Sequence, residues 1–492
     1  MFSLSLISTA AAAGISLFVM LFTKRAGIVA IFCISVLSKE IPIDEQRSAE
    51  RYRSGKVHTA IMAAKMRVWK DASEAGLMES SQYSALQYTA CKNGISEAIP
   101  GDARNTFRCR NADLYHFLSH AELNSTGSGS SSWGWTSDTG REFVAIGQED
   151  GTAFVEITSA GKMHYLGRLP QYSVPIIWRE IRAYKNYMII GSEAERHGIQ
   201  IFDMKKLLTI NPTTPRNFDA VKDLTGHFNA LPAGRSHNVV VNEELNYAVA
   251  VGAQPRNSSC LAGLIFIDLT DPSKPTTPGC AAQDGYVHDA QCLVYRGPDK
   301  KYQGRDICYG YNEDSLTIYD VTSKVNTSVI SRTSYEGASY THQGLVLDIL
   351  NQEFLLLDDE LDEQKAAGPA VDAPKQTGFY KSSVRSIDHN QYVYDGYSYQ
   401  SNYAAGLRVL DISSIPSDPT GANVCEAGFF DIHPEDDLLP GGGNTTFVGT
   451  WSMYPYFRSG YIFINTIERG AFVVKMTGKD CIDKKAGTAR RV

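Results

Sequence analysis

The chain has 492 residues, a net charge of −7, and 43% apolar and 10% aromatic residues. That length can bury a large core or hold more than one domain. The acidic balance leaves no basic footprint, which argues against nucleic acid as a main partner, and the 41 glycines suit a chain with many tight turns.

Phe2–Phe22 and Ala26–Leu37 are apolar, with Lys24 and Arg25 between them. Residues 1–38 read as a signal peptide behind an upstream extension, with the true start at Met20. From there MLFTKR is a basic n-region and AGIVAIFCISVL an h-region, and Val36 and Ser38 are the small residues before a cleavage at Lys39. The alternative is a retained anchor, because Phe2–Phe22 has about the 20 apolar residues that a span needs. Cleavage would leave no stable membrane span.

Residues 39–123 form the next segment. DEQRSAERYRSGKVHTAIMAAKMRVWKDASEAG lacks proline and predicts an amphipathic helix packed on the main body, with Val57, Ile61, Met62, Met66 and Trp69 as its apolar residues. Tyr88–Leu118 is a short cysteine-containing stretch, and NSTGSGSSS (residues 124–132) reads as a flexible linker.

Repeats fill residues 133–480, and residues 481–492 form a tail. GTAFVEI, GIQIFDM, GLIFIDL, SLTIYDV, GLRVLDI and GAFVVKM are copies of one strand, ending at or near Glu156, Asp203, Asp268, Asp320, Asp411 and Lys475. The interval from Asp320 to Asp411 is nearly twice the shortest, so a unit with a lost copy is expected inside it. A second ladder agrees: Trp178-Arg179, His237-Asn238, His288-Asp289, His342-Gln343, His389-Asn390 and Trp451-Ser452, with His342 inside the long interval. Runs such as NYMIIGS, NYAVAVGA and YIFINTI follow these marks and read as strands. The fold class is therefore mainly β: a seven-bladed β-propeller behind a short helical N-terminal region. Asp268, Asp320 and Asp411 are expected to cap turns, and the acidic run Asp358–Glu363 reads as a solvated loop, with Asp359 and Glu360 as the members that would reach a central funnel.

Nine cysteines, less Cys33 in the leader, leave Cys91, Cys109, Cys260, Cys280, Cys292, Cys308, Cys425 and Cys481. An even set in an exported chain reads as disulfides. Pairing of sequence neighbours is the simplest arrangement among roughly a hundred possible connectivities. Sequons at Asn124, Asn257, Asn326 and Asn444 fit a glycosylated surface.

SHNVVVNEELNYAVAVGA, CLAGLIFIDLTDPSKPTTPGC, YTHQGLVLDILNQEFLLLDDELDE, SIDHNQYVYDGYSYQSNYAAGLRVLDIS and WSMYPYFRSGYIFINTIERGAFVV resemble the choice-of-anchor B proteins. Those proteins carry LVIVD-type repeats, of which LIFIDLTDP is an example here. The resemblance covers roughly Cys91 to Val474 and is surest from Ser236 onward. It implies a secreted or cell-surface β-propeller without a defined activity, so no catalytic residues carry over. Bacterial members use varied C-terminal anchors, whereas KDCIDKKAGTARRV has no apolar tail, and anchoring is not expected to transfer. One departure follows LDDELDE, where QKAAGPAVDAPKQTGFYKSS replaces a strand of the IWDV kind. Blade five is thus expected to be incomplete, with disorder or a substitute strand at its edge.

Equivalent ladder positions in a propeller meet at one axis. His237, His288, His342 and His389, with Asp289 and Asp388, are therefore candidate ligands for a divalent or transition metal in the funnel, and Trp178 and Trp451 its wall. Repeated histidines also serve as structural ties between blades, and neighbouring strand residues point to opposite faces. Two functions follow. The favoured one is an extracellular binding or scaffold protein for carbohydrate, peptide or wall polymer, secreted or associated with the cell surface. The other is a metal-dependent hydrolase or oxidoreductase centred on the histidines.

Overall fold

Strand alternation between apolar and small residues produces seven separate sheets, each mainly antiparallel, in this computed structural model. It describes residues 5–8, 42–335, 338–361, 377–378 and 380–481. The first strands of the sheets are Gly129–Thr136, Arg179–Tyr184, Asn238–Asn242, Asp289–Val294, Thr341–Val346, Ile387–Tyr394 and Thr450–Tyr454. Each packs beside the next and the last returns to the first, so the seven sheets close as the blades of a propeller. This radial arrangement leaves each blade with only short, protected edges. The six strand copies are the third strands of blades one, two, three, four, six and seven.

Closure uses a segment from before the repeats. Ala112–Ser119 pairs with Gly470–Met476 and becomes the outer strand of blade seven. The stretch expected to be a linker also enters the ring, since Gly129–Ser132 begin the inner strand of blade one. The run is glycine and serine because space there is short. A Cβ on Gly129 would sit 2.1 Å from the Thr466 carbonyl and 2.5 Å from the His120 ring. Ser132 Oγ lies 3.0 Å from Ser452 Oγ across the seam.

Among the described residues, blade five has Thr341–Val346 and Phe354–Asp359 from its own stretch of chain. Ser5–Ser8 pairs antiparallel with Phe354–Asp359 and acts as a substitute third strand. Those four residues lie in the segment expected to be a leader, so this pairing belongs to the uncleaved chain. The proposed cleavage region before Lys39 falls outside the described residues, as do Asp362 and Glu363 of the acidic run.

Turn and disulfide chemistry follow the sequence. The carboxylates of Asp203, Asp268, Asp320 and Asp411 accept from the backbone N–H two residues on, at 2.9, 2.7, 3.1 and 3.0 Å. The disulfides are 91–109, 260–280, 292–308 and 425–481. The helix spans Lys56–Glu74 and buries Val57, His58, Ile61, Lys65, Trp69 and Ala72. Met66, expected on the apolar face, is exposed, and Lys65 takes the inward position. Among the described residues no helix is long and apolar enough to cross a membrane.

Gly129→Val should lower stability by about 1–3 kcal/mol through overpacking at the seam. Thermal unfolding measures it, and an unchanged midpoint would mean that the seam tolerates a side chain.

Candidate functional site

The ladder meets on the axis. Trp178, Arg179, Glu180, His237, Asn238, His288, His342, His389, Asn390 and Trp451 line one cavity of about 20 Å³. Adjacent imidazole centroids lie 4.3, 4.2 and 4.8 Å apart from His237 through His288 and His342 to His389. All four lie just before or within the first three residues of an inner strand, on blades three to six. That shared position explains why a repeat mark in sequence becomes an arc in space.

Backbone and carboxylate acceptors fix three of the rings. His288 Nδ1 donates to the His342 carbonyl at 3.0 Å, and His389 Nδ1 donates to the Trp451 carbonyl at 2.8 Å. His237 Nδ1 pairs with Glu193. Each of these rings has Nε2 left over, and the Nε2 atoms of His237 and His288 are 2.8 Å apart. Burial pushes His288 and His389 well below the usual imidazole range, and His342 down to about 4. The rings reinforce one another, because His342 is the next largest cause at both His288 and His389.

The end of the axis beside these rings is closed by the Lys56–Glu74 helix. Trp69 packs on Trp178 and Trp451 at centroid distances of 5.5 and 6.1 Å, and its Nε1 donates to the Phe447 carbonyl at 2.7 Å. One turn earlier Lys65 reaches inward, and its Nζ is 2.6 Å from Glu360 Oε1. The two side chains are 3% and 0% exposed, so this is a buried ion pair. Burial alone would raise the Glu360 carboxyl, but Lys65 and His342 more than offset it and hold it below the usual range. The ammonium also lies 5.7 and 5.3 Å from the Tyr403 and Phe447 ring centroids. His58, two turns before Lys65, donates to or accepts from the Tyr340 hydroxyl at 2.9 Å.

Asp358, Asp359 and Glu360 are buried, and this corrects the expectation of a solvated loop. Their carboxyl oxygens have partners: Ser339 and Tyr340 backbone N–H groups donate to Asp359 at 2.6 and 2.9 Å, Gln343 N–H donates to Asp358 at 2.8 Å, and Lys65 faces Glu360. Two expected ligands also move. Asp289 turns away from the imidazoles into a second chamber, because it is the strand neighbour of His288. Asp388 is buried but is not among the residues lining the histidine cavity.

The second chamber is about 210 Å³ and lies further along the axis. All seven blades line it, with Trp133, Arg182, Asp289, Gln291, Gln343, Tyr392 and Tyr456 as its aromatic and polar groups. Gln343 Nε2 donates to Asp289 at 3.0 Å, and Gln391 N–H donates to Gln343 Oε1 at 2.6 Å. The Arg182 guanidinium stacks 4.6 Å over Trp133 and pairs with Glu180, which lines the histidine cavity. That pair therefore stands between the two chambers.

Lys65, Trp133, Arg182 and Glu193 were missed by motif reading. Lys65 alone had a signal: counting by four from Val57 passes Ile61, Lys65 and Trp69, which places a cation in the buried stripe.

No family model and no curated protein matches this chain. Among solved structures it is similar to the computationally designed Ika8 protein, at 10% identity and TM-score 0.41 over 80% of this chain and 96% of the other. It is also similar to the C-terminal WD40 domain of Sif2, at 10% identity and TM-score 0.39 over 80% and 97%.

Two outcomes follow. Lys65→Ala should cost about 3–5 kcal/mol by stranding the Glu360 charge. Lys65→Met combined with Glu360→Gln should recover much of it; urea unfolding decides, and equal losses in both variants would contradict a buried ion pair. His288, His342 and His389 are neutral when folded and protonate near pH 6.5 when unfolded. Their contribution is full above pH 6.5 and is lost as pH falls toward about 4, the His342 value. Each contributes a slope of up to about 1.4 kcal/mol per pH unit in that window. Unfolding free energy that stays flat from pH 7 to pH 4.5 would contradict it.

Proposed function

We propose that the protein is an exported propeller of the choice-of-anchor B type that works as an extracellular binding scaffold, with the Trp133 chamber as its ligand site. The observation that carries this reading is the difference between the two axial cavities. The histidine cavity is sealed by a helix and has room for about one water or one ion. The other is ten times larger and is lined by aromatic faces and planar polar groups.

Carbohydrate is the ligand class these groups suit best. Trp133, Tyr392 and Tyr456 offer apolar ring surface for the C–H face of a sugar. Arg182, Asp289, Gln291 and Gln343 offer paired donors and acceptors for vicinal hydroxyls. The volume is below the roughly 300–1,000 Å³ of drug-sized pockets, so it suits a single sugar unit at the end of a chain. Export is supported by the four disulfides. All four sequon asparagines are also exposed. Cleavage before Lys39 would remove Ser5–Ser8 and open the edge of blade five. A metal-dependent hydrolase or oxidoreductase would need a substrate beside the imidazoles, where the Lys56–Glu74 helix now lies.

Calorimetric titration with a panel of mono- and disaccharides should find a binder, and Trp133→Ala should weaken it about tenfold or more, as loss of an aromatic anchor does. A panel without binders, or binding that Trp133→Ala leaves intact, would sink the assignment.

A further inference from the structure

The histidine cavity has features that a purely structural tie does not need. Three imidazoles commit Nδ1 to an acceptor: His237 to Glu193, His288 to a carbonyl at 3.0 Å, and His389 to a carbonyl at 2.8 Å. This is how proteins orient histidines whose Nε2 is to bind a metal. It also creates a conflict. With both Nδ1 atoms donating, the Nε2 atoms of His237 and His288 face each other at 2.8 Å with lone pairs on both sides. A shared proton would resolve this by making one ring an imidazolium, which on His237 would face the Glu193 carboxylate.

A compact donor set lies beside this pair. One ligand atom each from His342, Glu360 and His389 lies within 4.8 Å of the others, and all three residues are buried. An ion at the centre of such a triangle is at most about 2.8 Å from each atom, against about 2.0–2.2 Å in a zinc site. Small rotamer shifts close that difference. The cavity of about 20 Å³ fits a single ion and excludes any larger ligand.

We propose that the axial cluster binds one divalent first-row transition ion through His342, His389 and Glu360, whose carboxylate balances its charge, with His288 as the next imidazole of the arc. Imidazole selects zinc, iron, copper or nickel over calcium and magnesium, which prefer all-oxygen sites. The ion joins blade five, which has two strands of its own among the described residues, to blade six. Lys65 shares Glu360 with the ion and so opposes it. This site is independent of the Trp133 chamber.

The test uses the full chain, stripped with chelator and dialysed against Zn²⁺ or Co²⁺ in turn. Elemental analysis should find about one equivalent of zinc, and Co²⁺ should give the visible absorption of a nitrogen-ligated site of low coordination number. His342→Gln with His389→Gln should lower affinity about tenfold or more, in line with losses at metal shells. His164→Gln, at an exposed histidine, should leave it unchanged. Lys65→Met should tighten binding. Less than about a tenth of an equivalent of either metal on the wild-type chain, or equal uptake by the folded double variant, would overturn the proposal. Where circular dichroism shows the double variant unfolded, the wild-type Co²⁺ spectrum decides: an all-oxygen spectrum overturns the site.

Discussion

A lysine ammonium buried against one carboxylate, on the axis of a propeller, sets the terms for the rest of the molecule. Lys65 and Glu360 lie 2.6 Å apart with almost no exposure. Removing two charges from water costs several kcal/mol per ion, and the pair repays this only with close geometry. The surroundings supply that geometry. The Lys56–Glu74 helix is pinned on one side by Trp69 between two tryptophans. On the other side Arg256 binds the Tyr52 carbonyl at 3.1 Å and both oxygens of Glu313 at 3.0 and 2.7 Å. Tyr52 in turn donates to the Ser339 carbonyl at 3.2 Å. The helix is part of the propeller's core.

That closure divides the axis by chemistry. On the sealed side are four imidazoles, the Lys65–Glu360 ion pair and space for a single small occupant. On the other side all seven blades present aromatic and amide groups around a chamber large enough for a ligand. The Glu180–Arg182 pair marks the division, since Glu180 lines one cavity and Arg182 the other. Neighbouring strand residues alternate faces, so His288 and Asp289 serve different chambers although they are adjacent in the chain.

Much of the fold was legible because it is written as period. The six strand copies and the tryptophan–histidine ladder repeat, so they located third strands and inner strands. The His342 mark placed the seventh blade where a strand copy was missing. Turn-capping aspartates and neighbouring cysteine pairs are local effects and were legible for that reason. What escaped reading is long-range. Ala112–Ser119 closes the ring with a strand over 350 residues away in sequence. Ser130–Ser132 resemble a linker because only small side chains fit at the seam. Asp358–Glu360 resemble a solvated loop until Lys65, from nearly 300 residues earlier, is placed against them. A single residue that satisfies a distant partner leaves no repeat to detect.

The central claim is that the histidine end of the axis is sealed by the Lys56–Glu74 helix. Acylation of imidazoles with diethyl pyrocarbonate at neutral pH, read peptide by peptide in the mass spectrometer, tests it on the native chain. The account predicts rapid modification of exposed His164 and protection of His288, His342 and His389 until the protein unfolds. Modification of those three at the rate of His164 would show an open funnel and contradict it.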